Sequence, residues 1–342
     1  MAMKCFTASS VPLLSMFISR TPYAIVSGSR SVSYQCKKLS FNEFGDPLKV
    51  VYPDEEAVSE PSASEVSAAH FTSNINIIQG TYPVKPSLPA SPGFEGVGEV
   101  VAVGTGVTEF AIGDRVVPNC DTCGTWKSYT NFFCPYVLQV PNDMPILEAA
   151  GLTSNPCTAY RMLSDFTELK PGDAVIQNGA NSACGQNVIQ LCKAWGITSV
   201  NIHLSSLGYS KPQGSSISKL ALNCVGGNNA TEVMRHLAPK GVMVTYGGMS
   251  RNPVTIPTSS FIFKDLAFRG FWMTRWHKEN RNSPARQKMI ADLVELMKSK
   301  KIRAPAHKVV PLENYTEALM NTMSVQGFAG HKYFIDFRSL HS

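Results

Sequence analysis

The sequence predicts a two-part α/β chain: a β-barrel-like part followed by a doubly wound parallel sheet. Three observations predict it. Short β-type runs, GVGEVVAVGTGV (96–107) and FAIGDRVVP (110–118), are punctuated by glycine and proline, with Gly113-Asp114 turning the second. From residue 145 onward, apolar runs of strand length alternate with helically spaced segments, the pattern of a sheet covered on both faces. The chain has 342 residues, 44% hydrophobic and 16% charged, enough for two ordinary domains with a substantial core.

The amino-terminal segment stands apart. No Asp or Glu precedes Glu43, while Lys4, Arg20, Arg30, Lys37 and Lys38 fall in the first 38 residues. A basic, Ser-rich and acid-free leader has the composition of an organelle transit peptide, mitochondrial rather than plastid. No A-x-A-like site follows a compact apolar core, which argues against secretion. The formal net charge is +6, and subtracting those five cations leaves about +1. A basic nucleic-acid surface is therefore not expected. No run of 18 or more apolar residues occurs, so no membrane insertion is expected.

The other elements follow in chain order. The polar stretch EEAVSEPSASEVSAA (55–69) reads as a loop or weak helix. PILEAAGLTSNPCTAYRMLSDF (145–166) spaces its apolar residues as a helix does. AVIQ (174–177) reads as a strand, NVIQLCKAWG (187–196) as a helix through Trp195, and SVNIH (199–203) as a strand. KLALNCV (219–225) is a buried-strand run, TEVMRHLAP (231–239) a helix and GVMVTYGG (241–248) a strand. FIFKDL (261–266) and FRGFWM (268–273) continue the alternation. PARQKMIADLVELMKSK (284–300) and Tyr315 to Met323 read as helices, and KYFIDF (332–337) as a last strand.

The nine cysteines are scattered. Cys120-x-x-Cys123 with Cys134 nearby could suggest zinc, but a four-ligand structural site lacks a fourth ligand at suitable spacing. They are read as free thiols, reduced in an organelle or the cytosol. The stretch QNGANSACGQN (177–187) lies between a strand and a helix. Against G-x-G-x-x-G, its three glycine positions hold Ala180, Ser182 and Gly185. Ser182 can offer a hydroxyl and a backbone N–H to a phosphate beside a helix starting near Cys184. Gly185 would keep that helix close to the strand, and Ala183 would be strained if its position needs φ > 0.

The segments GFEGVGEVVAVG, GDRV, GTW, NPCTAYRML, PGDAVIQNGANS, LALNCVGG, VTYGGM, IFKDL and RGFW occur in that order. With them the chain resembles the medium-chain dehydrogenase/reductase superfamily. NIIQGTY, NPCTAYRML, LNCVGG, VTYGGM and RGFW are more specific. They resemble the zinc-free mitochondrial trans-2-enoyl-CoA (enoyl-[acyl-carrier-protein]) reductases over roughly 41–53 and 74–323. The resemblance implies a disordered transit peptide over 1–38 and a GroES-like catalytic domain over 39–145 and 305–342. It implies a Rossmann-type NADP-binding domain over 146–304. The implied activity is NADPH-dependent reduction of enoyl-CoA or enoyl-acyl-carrier-protein in fatty acid synthesis in the mitochondrial matrix, by a homodimer. No catalytic metal is implied, because Gly93-Phe94-Glu95 stands where zinc-dependent relatives have Gly-His-Glu.

The same resemblance assigns roles. Tyr82, after the Asn76-Ile77-Ile78-Gln79-Gly80-Thr81 turn, is the proton donor to Cα. Asn155 contacts the nicotinamide side of the cofactor. Asn181, Ser182, Ala183 and Cys184 form the phosphate turn. Tyr246, Gly247, Gly248 and Met249 end a parallel strand at the ligand-binding edge. Phe271, Trp272 and Met273 lie near the nicotinamide and acyl pocket, where Ala267 to Met273 is a strand that could pair two subunits. Lys332 aligns with a lysine near the cofactor.

The chain departs from the family in two blocks. Leu204 to Ser218 gives 15 residues between SVNIH and KLALNCV. At about 3.3 Å per extended residue these can bridge the gap but cannot also supply another helix and strand. A loop with an absent edge strand is expected, with Lys211 the one basic residue in it. The strand expected before NIIQG is replaced by SEVSAAHFTSN, with Asn74 in place of an aspartate. Two readings stand beside the reductase: a quinone or enone reductase of the same superfamily, and an inactive, cofactor-weak relative.

Overall fold

The protein is described by a computed structural model covering residues 33–73, 77–120, 123–202, 218–324 and 331–337. Its first strand, β1 (Ser33–Phe41), pairs antiparallel with β2 (Val51–Ser59) in an unbroken register from Ser33↔Ser59 to Phe41↔Val51. The one-turn helix α1 (Pro47–Val50) joins them, capped by the Asp46 carboxylate on the Leu48 N–H. This hairpin corrects two expectations. Ser33 to Lys38, expected within a disordered leader, belong to β1; residues 1–32 lie outside the described residues. The segment 55–69 is no loop or weak helix: β2 takes its first part and β3 (Glu65–Ser73) its last.

The physical reason lies in pairing. Along β2 exposure alternates: Glu55, Ala57 and Ser59 face out while Asp54, Glu56 and Val58 turn partly inward. Lys38 on β1 bridges Asp54 and Glu56 across the hairpin. On β3, Val66, Ser67 and Ala68 are all fully buried. Small side chains are what a central strand packed on both faces accepts. The strand expected to be missing before NIIQG is therefore present as β3; Asn74 and Asn76 lie outside the described residues.

The chain continues through β4 (Glu95–Val103), β5 (Arg115–Pro118), β6 (Tyr129–Phe133) and β7 (Val137–Val140). Two helices follow where one was expected, α2 (Ile146–Gly151) and α3 (Asn155–Asp165). Ser154 leaves helical geometry at φ −113°, ψ −89°, directly before the Asn155-Pro156 start of α3. A proline is tolerated in a first turn but not inside a continuous helix.

Next come β8 (Ala174–Asn178), α4 (Ala183–Ala194), β9 (Thr198–Ile202), β10 (Ser218–Asn223), α5 (Gly227–Arg235) and β11 (Leu237–Thr245). The helix read over 231–239 thus starts earlier and stops at Arg235, because Leu237 already pairs with Ser218. α6 (Thr258–Ile262) takes the start of FIFKDL, and β12 (Ala267–Gly270) ends three residues before the expected Met273. Met273 instead opens α7 (Met273–Glu279), which α8 (Pro284–Lys298) follows. β13 (His307–Pro311), α9 (Tyr315–Ser324) and β14 (Lys332–Asp336) complete the chain.

Among the described residues these strands form two larger sheets. The parallel one runs β12-β11-β10-β8-β9. The other runs β13-β14-β3-β4-β5-β7, with β6 also on β3. The carboxyl-terminal β13 and β14 thereby return to the first part of the chain, and β9 stands at the edge of the parallel sheet. Residues 203–217, where the shortened loop was expected, lie outside the described residues.

Candidate active site

Tyr82 is positioned by the turn before it. Ile77 and Ile78 are buried in a core with Leu39, Phe41 and Trp126. The Ile78 carbonyl accepts from the Gly45 N–H, and Gly80 closes the turn at φ 67°, a conformation that favours glycine. The chain leaves this anchor with the Tyr82 ring stacked on Phe94 and edge-on to Trp272. The indole Nε1 of Trp272 donates to Tyr82 Oη at 2.8 Å, and Thr274 Oγ1 shares a second 2.8 Å bond with it. Trp272 can do so because β12 stops at Gly270 and the chain turns into α7.

This group opens on a cavity of about 220 Å³ between the two sheets. Of the residues expected in the site, Tyr82, Asn155, Cys184, Tyr246, Phe271, Trp272 and Met273 line it. Asn181, Ser182, Ala183, Gly247, Gly248, Met249 and Lys332 do not. Burial pushes the Tyr246 phenol well above its ordinary range, with the Cys184 and Cys224 thiols beside it, so it stays neutral. Its hydroxyl is buried against those two thiols, which are weak partners and leave it without a strong hydrogen bond.

The turn expected to take a phosphate is built as its spacing requires. Ser182 caps α4, its Oγ accepting from the Gly185 N–H at 3.1 Å. A Cβ on Gly185 would lie 2.6 Å from the Gly179 carbonyl oxygen, so only glycine lets the helix approach this closely. Positive φ falls on Gly179 at 57°. Ala183 is the first residue of α4 and is not among the positive-φ residues, so the strain considered for it does not arise. The Asn181 side-chain oxygen is buried and unsatisfied.

Behind the turn, buried amides fix the carboxyl ends of three strands. Asn178 Nδ2 donates to Asn223 Oδ1, and Asn223 Nδ2 to Thr245 Oγ1. Asn178 Oδ1 accepts from the Cys224 N–H. Gly247 packs so closely that a Cβ there would meet the Cys224 carbonyl at 3.0 Å, whereas Gly248 is open. Lys332 sits elsewhere: its Nζ pairs with Glu95 at 2.7 Å, the two side chains 9% and 2% exposed. Lys332 also lines a small hollow that touches Asn155.

Sequence reading missed Asn119, Thr158, Thr274, His277, Lys278, Arg281 and Arg286, which share the cavity wall. The basic run Arg275-Trp276-His277-Lys278 was the available signal. Cys120 also lines the cavity and is joined to Cys123 by a disulfide, with Cα atoms 5.7 Å apart. This corrects the reading of the pair as free thiols: a C-x-x-C turn brings two Cα atoms within bridging range. Cys36, Cys134, Cys157, Cys184, Cys192 and Cys224 are free and buried. Among the described residues no group of three or more His, Cys, Asp or Glu could hold a metal ion, and no helix is long and apolar enough to cross a membrane.

Two family models match this arrangement, the alcohol dehydrogenase GroES-like domain over 65–141 and the zinc-binding dehydrogenase over 213–326. The chain is 42% identical to the human mitochondrial enoyl-[acyl-carrier-protein] reductase, over 84% of this chain and 85% of the relative. It is 37% identical to the Arabidopsis thaliana protein of that name, over 89% of each. The chain belongs to the mitochondrial enoyl-[acyl-carrier-protein] reductase family. Among solved structures, Etr1p in complex with NADP and crotonyl-CoA superposes at TM-score 0.80, with 27% identity over 89% of this chain and 100% of that one. The Etr1p/Etr2p heterodimer from Candida tropicalis gives 0.79 at the same identity and coverage. Quinone reductases below 25% identity share the fold.

Proposed function

We propose that this protein reduces trans-2-enoyl thioesters of coenzyme A or acyl carrier protein to acyl thioesters with NADPH, in mitochondrial fatty acid synthesis. The observation that carries the reading is the Tyr82 phenol, exposed to the cavity and held by Trp272 and Thr274. The reduction needs a hydride at Cβ and a proton at Cα, and NADPH, when bound, supplies the hydride. Tyr82 holds the proton for Cα. The Trp272 N–H is a fixed donor to Tyr82 Oη, and the Thr274 hydroxyl can turn to donate as well. Two donors favour the oxyanion that forms as the proton leaves.

The residues present fit the cofactor. Ser182 spends its Oγ lone pair on the Gly185 N–H, which leaves its O–H for a phosphate at the start of α4. Asn155, Asn181, Tyr246 and the closely packed Gly247 would hold the rest, the Asn181 side-chain oxygen being buried without a partner. Ala183, Cys184, Gly248, Met249, Phe271 and Met273 complete that surface. Lys332 acts from behind, through Glu95.

Quinone reduction is the lesser reading, because it needs no proton delivered to carbon beside the site of hydride addition. The basic, acid-free leader and the mitochondrial relatives support location in the matrix, and the heterodimeric neighbour supports a dimer, here of two identical chains. Purified protein should oxidise NADPH with crotonyl-CoA. Failure to bind either NADPH or NADH would overturn the enzyme reading in favour of an inactive relative.

A further inference from the structure

The α8 residue Arg286 is 6% exposed, lines the cavity, and takes part in no ion pair among the described residues. A buried cation without a carboxylate is costly, and a chain keeps one where its hydrogen bonds do something a neutral side chain cannot. The neighbouring Cys157 thiol gives no countercharge, since burial raises it to about 12. Burial likewise lowers Arg286 itself, without neutralising it at ordinary pH.

Its guanidinium reaches three segments. Nε donates to His277 Nδ1 at 3.2 Å, Nη2 to Asn119 Oδ1 at 2.6 Å, and Nη1 to the Arg281 carbonyl at 3.4 Å. The two side-chain acceptors are themselves oriented. Asn119 Nδ2 donates to the Pro135 carbonyl, which turns its oxygen to Arg286. Because His277 Nδ1 accepts, its Nε2 carries the proton and donates to the Thr153 carbonyl at 2.8 Å. One side chain thus ties together the segment after β5, helix α7 and the turn leading to Asn155.

We infer that Arg286 is a positioning residue that holds α7 so that Trp272 and Thr274 fix the Tyr82 hydroxyl. The inference rests on the proposed role of Tyr82. Trp272 and Thr274 sit at the start of α7, one turn before His277, so a shift of α7 moves both partners of Tyr82 together. Lysine cannot replace the planar fork that serves three acceptors at once.

The test is a double-mutant cycle on kcat with crotonyl-CoA and NADPH. Arg286→Met should lower kcat on the order of tenfold in the wild-type background. In a Tyr82→Phe background it should change kcat by less than about twofold, because the geometry it guards no longer matters. Arg286→Lys should recover only part of the loss. A merely structural role predicts equal loss in both backgrounds, tracking the fall in Tm, and that result overturns the inference. An unchanged kcat in Arg286→Met also overturns it. Should Arg286→Met fail to fold, Asn119→Ala removes one acceptor and should show the same non-additivity on a smaller scale; additivity there overturns the inference too. If Tyr82→Phe alone leaves turnover intact, the role proposed for Tyr82 has failed. If it slows turnover and the cycle is additive, only the positioning inference has failed.

Discussion

The two ends of the cavity are built differently. At the Tyr82 end, side chains far apart in sequence converge: Tyr82, Phe94, Asn119, Trp272, Thr274, His277 and Arg286. At the proposed nucleotide end, where Cys184 and Tyr246 reach the wall, one local segment beside the cavity dominates, the strand-turn-helix around Gly179 to Gly185, with β9 as the sheet edge among the described residues. The first end is held by tertiary hydrogen bonds that fix a reacting group. The second is held by backbone geometry that fixes a surface. Perturbing the first should strike the chemical step, and perturbing the second should strike cofactor affinity.

The largest effect expected is at Tyr82. Tyr82→Phe should lower kcat by about 10²–10⁴-fold, the usual contribution of a general acid, with little change in NADPH affinity. Stopped-flow turnover and a nucleotide titration check both halves. Equal loss in kcat and in affinity would break the contrast between the two ends.

Behind Asn155, Lys332→Met should destabilise the fold by about 3–5 kcal/mol, since it leaves the Glu95 carboxylate buried without that cation. Adding Glu95→Gln should restore most of the loss, measured by urea unfolding. The position matters to the comparison because β14 and β4 carry this pair across the sheet. A large effect on stability with a small effect on kcat would mark it as part of the frame that both ends share.

Gly185→Val tests the nucleotide end directly. Its Cβ would meet Gly179 and Ala180 backbone atoms at 2.6–2.8 Å, and the forced shift should cost about 1–3 kcal/mol. NADPH affinity should fall by about tenfold or more, while kcat at saturating NADPH stays within about threefold.

What was legible in the sequence follows the same division. The phosphate turn could be read because its geometry is local: strand, glycine, N-cap serine, close-approach glycine. Tyr82 could be read because its turn recurs in the family. Thr274 and Arg286 could not, since each acquires its role only from a partner 192 or 167 residues away. β2 and β3 were hidden because hydropathy reads β2 as a solvated acidic run and β3 as small residues without alternation. Pairing, not composition, makes them strands. The disulfide was hidden because nine cysteines in a chain expected in a reducing compartment suggested thiols, and spacing alone does not distinguish a bridge from a pair.

The smallest effect expected concerns the choice of nucleotide. The family resemblance implies that preference for NADPH over NADH comes from cations just beyond the second strand of the parallel sheet, here β9. Between β9 and β10 the sequence offers Lys211 as its one Lys or Arg. A hydrogen bond to a charged group is worth about 1.5–3 kcal/mol, and salt screening lowers what a single cation contributes. The ratio of kcat/KM for NADPH over NADH should therefore stay near tenfold. Lys211→Gln should bring it close to one and flatten its dependence on salt. A ratio of about a thousand or more, unmoved by Lys211→Gln, would require basic groups from elsewhere in the chain or from a second subunit. The nucleotide end would then be as much a convergence of distant residues as the Tyr82 end, and the contrast between them would be lost.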